Sequence, residues 1–123
     1  MRMASTIARY LLGLIFFVFG LNGFLHFIPT QPMPDAAGQF MGAMFATHYL
    51  IVVFVLELIP GAMLLAGRYV ALALTLLGPV IVNIVLFHAF MAPSGLPLAT
   101  IVVILWGLTA WSVKSAFAGL LEK

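Results

Sequence analysis

The chain has no cysteine and few charges. Asp35, Glu57 and Glu122 are its three carboxylates, against five lysines and arginines, in 123 residues. Without a thiol, this chain alone holds no disulfide, no thiol redox relay, no Cys-ligated zinc and no iron–sulfur cluster. Five cations are too few for the clustered basic face that nucleic acid requires. No glycine-rich dinucleotide fingerprint, phosphate loop, HExxH or Ser–His–Asp order is present.

Hydrophobic residues make up 65% of the chain and charged residues 7%. Soluble domains are nearer half apolar and a quarter charged. A water-soluble fold of this size buries only about 60–70% of its unfolded surface, so it has no place for so much apolar side chain. The expected solvent is lipid. A bilayer core of about 30 Å needs roughly 20 apolar residues per helix. Four stretches qualify, at about residues 7–28, 48–66, 69–91 and 98–117. The breaks between them are rich in Pro, Gly and Ser, or carry Arg68. The sequence therefore predicts one all-α membrane domain over residues 1–123, a bundle of four transmembrane helices. Arg2 and Arg9 before the first run imitate a secretory leader. The run is too long for one and no small-x-small site follows, so a retained first span is expected.

The cations predict the orientation. Arg2 and Arg9 precede the first span, Arg68 lies between the second and third, and Lys114 and Lys123 end the fourth. In an up-down chain these places share one side, and the positive-inside rule puts them, with both termini, in the cytoplasm. The longest connection holds Asp35, which can start a short helix over about residues 35–47. Phe40, Met41, Met44 and Phe45 form one face of it, and Gly38, Gly42 and Ala46 another. An interfacial helix over the outer mouth is expected, or in a sharper reading a lid.

Polar residues inside the spans are few and fall in the outer half. From the helical rise, His26, His48 and His88 lie within roughly 5 Å of the outer surface, and Asn22, Glu57 and Asn83 at roughly 9–14 Å. A carboxylate at the bilayer centre costs about 2.5–3.5 kcal/mol on insertion scales, so Glu57 is expected to face the interior with a partner. Protonated, it can donate to the amide oxygen of Asn22 or Asn83; ionised, it needs their N–H groups or a cation. Asn22 and His26 share a face at a spacing of four, as do Thr75, Pro79 and Asn83. All these faces are expected to turn inward together. The structural alternative is interhelical hydrogen bonding without function. The histidine spacings match no metal motif, and a mouth histidine more commonly binds water, a headgroup or the polar end of a ligand. Trp111 reads as an interface anchor, and the deeper Trp106 is expected to pack on a neighbouring helix.

GLNGFLHFIP, PMPDAAGQFMGAM, ELIPGAMLLAGRYVALAL and PVIVNIVLFH together resemble the DoxX family of small four-helix membrane proteins, over about residues 7–115. That resemblance implies an accessory or subunit of a membrane redox system, with a quinone or another amphipathic molecule as the expected ligand. The wider four-helix group is similar to vitamin K epoxide reductase, whose cysteine pairs have no counterpart here. Asn22, His26, His48, Asn83 and His88 are then candidate ligand-binding residues, with Glu57 the candidate proton-exchanging group. Expected partners are the bilayer, a redox protein or a second copy of the chain. Proton, cation or small-solute transport through a Glu57 pocket and a ligand-free scaffold are the alternatives.

Overall fold

In the computed structural model residues 2–29 and 32–122 are described, Leu121 without its side chain. Lys123, one of the cations expected to set the orientation, lies outside the described residues. Every regular element among the described residues is helical. Helix α1 spans Arg2–Leu25, α2 Asp35–Ala46, α3 Tyr49–Ala66, α4 Val70–Phe90, α5 Leu96–Ser112 and α6 Lys114–Phe117. A 3₁₀ turn, Pro93–Gly95, leads into α5. Helices α1, α3 and α4, and α5 with its leading turn, are long and apolar enough to cross a membrane.

The helix ends differ from the expected spans for local reasons. Helix α1 stops at Leu25 rather than near residue 28, because the side-chain oxygen of Asn22 accepts the backbone N–H of Ile28 at 2.7 Å and draws the chain out of the helix. Helix α5 stops at Ser112 rather than near residue 117. Its last turn is closed by Val113 N–H on the Ala110 carbonyl, and the short α6 follows. Helix α3 ends in a left-handed Gly67 (φ 70°), with Arg68 N–H bonded back to the Met63 carbonyl at 3.1 Å. This is the Schellman closure that glycine favours, because it lacks a Cβ to clash there. The Arg9 guanidinium also donates to the Leu64 carbonyl, so a cation of α1 satisfies the C-terminal end of α3.

The four long helices form a ring in the order α1, α3, α4, α5, with α1 and α3 in closest contact. Glycines make that contact possible. A Cβ at Gly61 would lie 2.6 Å from the Phe17 backbone nitrogen, and one at Gly20 would lie 2.7 Å from that of Leu58. Without side chains at these points the two backbones approach closely, the usual basis of helix association in lipid. The Trp106 indole donates to the Leu74 carbonyl at 3.0 Å, joining α5 to α4. Trp111 is exposed, with the Lys114 ammonium 3.9 Å from the centre of its ring.

The two ends of the bundle are unlike. One carries Arg2, Arg9, Arg68 and Lys114; the other carries His26, His48, His88 and α2. The fully buried large side chains, Leu12, Phe16, Pro60, Leu64, Leu74, Leu77 and Thr109, fill the arginine half. In α1 the only buried position beyond Phe16 is Gly20. Apolar packing is therefore dense in one half and thinner towards the histidine end.

Candidate functional site

The histidine end holds a cavity of about 260 Å³ lined by Gly23, Phe24 and His26 of the first helix and its exit, by Phe45 of α2, and by His48, Leu50, Ile51 and Phe54 at the start of α3. Three separate segments bring their aromatic and imidazole groups to one place. Phe54 lies against the face of Gly23, where a Cβ would come within 2.2 Å of the ring, and meets Phe24 edge-on with centroids 6.2 Å apart. The ring thus fills the seam between α1 and α3 below the cavity.

Both lining histidines hold the left-handed backbone conformation, His26 with φ 53° and His48 with φ 63°. His26 is the first residue past α1, its N–H still bonded to the Asn22 carbonyl at 2.8 Å. His48 turns the chain from α2 into α3, a reversal completed by only two residues, Thr47 and His48. Glycine or asparagine is the common choice at such positions. A larger residue there costs of order 1–3 kcal/mol, and strain of this kind clusters at functional sites. Both side chains are exposed at the rim.

Glu57 lies midway along α3 and is 9% exposed. Seven residues separate it from Leu50, so it stands on nearly the same face about 10 Å deeper; Phe54 lies about one turn above it. No hydrogen bond or ion pair reaches its carboxyl among the described residues. No side-chain polar atom of those residues is both sealed from the surface and unpartnered. Both carboxyl oxygens therefore retain accessible surface. The acid is nearly buried, open at its tip and, among the described residues, without a partner.

The other expected members of the site are placed differently. Asn22 does not face Glu57 with a free carbonyl oxygen; that oxygen is taken by Ile28 N–H. The inward turn expected of Thr75, Pro79 and Asn83 is corrected. All three are exposed, and the Asn83 side-chain amide donates to the Pro79 carbonyl of its own helix at 2.9 Å. The reason lies in α4 itself: Ala73, Leu74, Leu77, Val80 and Ile81 form a wider apolar stripe that takes the core side, leaving the polar one outside. His88 does not line the cavity. Its Nδ1 lies 3.2 Å from the Ala92 carbonyl, against Gly95, and pins the turn into α5. Among the described residues, no three histidine or carboxylate side chains are placed to share a metal ion.

Sequence reasoning missed the aromatic lining. A signal was present, since Phe24 stands two residues before His26 and Phe45 three before His48. On α2 the open side is that of Gly38 and Gly42, where an added Cβ would meet nothing, while Ala37 is buried and Met41 and Met44 half-buried. The ring of Phe40 lies 5.7 Å from that of Phe87, so α2 rests against α4 as well as walling the cavity with Phe45.

No protein-family model, no curated protein and no solved structure matches this chain. The four long apolar helices make it a multi-pass membrane protein.

Proposed function

We propose that the chain is a DoxX-like accessory or subunit of a membrane redox system that holds a quinone, or a similar amphipathic molecule, at its histidine end. The observation that carries this reading is the convergence of His26 and His48 with Phe24, Phe45 and Phe54 on one cavity. An aromatic wall receives a planar ring by stacking. An imidazole at the rim offers a donor or an acceptor to a quinone oxygen. Few polar groups on a mostly apolar wall is the usual composition of a small-molecule site. Glu57, one helical turn below Phe54, is the group that exchanges a proton if the ligand turns over.

In this reading the chain sits in a bacterial cytoplasmic membrane with both termini inside. The support is that Arg2, Arg9, Arg68 and Lys114 gather at one end of the bundle, with no Lys or Arg at the other. The cavity then opens on the extracytoplasmic side.

Transport is the second reading. The unpartnered, accessible carboxyl of Glu57 favours it, because intramembrane acids mark ion and proton paths. The dense apolar half built on Leu12, Phe16, Leu64, Leu74 and Leu77 offers such a path no exit, which is why ligand holding is preferred.

Titration with a short-tailed benzoquinone in lipid nanodiscs separates the two. Ligand holding predicts thermal stabilisation of about 2.7 kcal/mol at a hundredfold excess over Kd. It also predicts loss of that stabilisation in His26→Ala/His48→Ala, and no proton flux into liposomes above the Glu57→Gln background. Flux that depends on Glu57, with no quinone stabilisation, would establish transport instead.

A further inference from the structure

Outside the cavity, the fold of one protomer leaves the amide of Asn83 partly unmet. It lies 13 residues from Val70 and 7 from Phe90, the ends of α4. That places it about 20 Å and about 10 Å from the two ends, within the hydrocarbon layer. It is exposed, beside the exposed Pro79, Val82 and Leu86. Among the described residues its NH₂ group makes one bond, to the Pro79 carbonyl. That bond rescues nothing, since proline at 79 frees the carbonyl of Thr75, four residues earlier, not its own. The second N–H and the amide oxygen of Asn83 are left facing lipid, which can neither accept nor donate. An unmet polar group in hydrocarbon costs several kcal/mol. Thr75 on the same face makes no such demand, because its hydroxyl donates to the Ala71 carbonyl at 2.8 Å.

We infer that a second copy of this chain covers the exposed face of α4 and that the two Asn83 amides bond to each other across a two-fold axis. Three observations select that occupant. A primary amide carries its donor and its acceptor on separate atoms, so two copies can pair through two reciprocal N–H···O bonds, which like-charged groups cannot do. Copies of one chain insert in the same direction, so a two-fold axis along the membrane normal brings each residue opposite itself at equal depth. Val82 and Leu86 of the same face border an apolar groove of about 380 Å³ between α4 and α5, which Gly78, Val85, Val103 and Trp106 also line. A Cβ at Gly78 would meet nothing within 4 Å, so the groove is open to apolar side chains of the second copy.

Disulfide trapping tests this, and a cysteine-free chain makes it clean. Val82→Cys sets a thiol beside Asn83; Ile104→Cys sets one on the exposed face of α5, eight residues from Leu96 and so at similar depth. Oxidised in its own membranes, the Val82→Cys chain should give a band at twice 13.3 kDa, and the Ile104→Cys chain should not. Adding Asn83→Leu should weaken self-association roughly 3- to 30-fold in a lipid-dilution series. Asn83→Gln, which keeps the amide, should retain part of the dimer. Asn83→Leu turns an apolar side chain to lipid, and an unchanged helical signal and monomer melting point confirm that it folds. Trapping of Val82→Cys no better than Ile104→Cys overturns the inference, as does a dimer indifferent to Asn83→Leu. A cross-linked partner of different mass overturns it too, and gives the face to another protein.

Discussion

At the scale of single residues, the site depends on two histidines held where glycine would be more comfortable. Among the described residues neither His26 (φ 53°) nor His48 (φ 63°) makes a side-chain hydrogen bond, so no such bond explains why imidazoles occupy these corners. If they are kept for a ligand, stability and binding should part company. His26→Gly and His48→Gly should each stabilise the protein by about 1 kcal/mol through relief of the left-handed conformation, set against the greater freedom glycine gains when unfolded. The same variants should lose quinone binding. Unfolding in a graded denaturing detergent, run beside the binding titration, measures both. Loss of stability together with unchanged binding would make the histidines structural. Asn22 teaches a different lesson. Its depth and its spacing from His26 suggested a ligand contact, yet its oxygen serves the exit of α1 through Ile28. A side chain that bonds six residues ahead can be seen only once the chain has turned.

At the scale of elements, the α1–α3 pair is the most closely packed part of the molecule, and glycines set its spacing. A methyl at Gly20 or Gly61 meets backbone rather than a yielding side chain. Gly20→Ala and Gly61→Ala should therefore each cost about 1–3 kcal/mol, the usual range for overpacking. Gly38→Ala and Gly42→Ala on α2 meet open space and should be neutral or stabilising, by up to about 1 kcal/mol. Thermal melts of the four variants in one detergent check the contrast, and equal losses on both helices would refute the packing order. The four spans were legible because a bilayer imposes their length and apolar character. The inward face of α4 was not. Thr75, Pro79 and Asn83 form a polar stripe with helical spacing, but Leu74, Leu77 and Ile81 form a larger apolar one. Which stripe faces the core is decided by the volume to be filled between α3 and α5, a property of the assembled bundle. Span ends were misplaced for a related reason: hydropathy continues past Leu25 and Ser112, whereas the hydrogen bonds that stop the helices do not depend on hydropathy.

At the scale of the whole molecule, the bundle is asymmetric along its length. The arginine half is closed by apolar packing; the histidine half holds the aromatic cavity and, beneath Phe54, the free carboxyl of Glu57. That polarity was partly visible in the chain, where the intramembrane polar groups cluster towards one set of loops. The convergence of α2 with the ends of α1 and α3 was not visible, because it follows from the left-handed corners at His26 and His48. The arrangement suits a device that captures an amphipathic molecule from one leaflet and holds it. An occupied cavity can be weighed by native mass spectrometry of the protein extracted in mild detergent from its host's membranes. The spectrum should show an added mass matching a quinone on the 13.3 kDa chain, retained by Ile104→Ala and lost by the His26→Ala/His48→Ala variant. A bare chain, or an adduct that survives removal of both histidines, would contradict it.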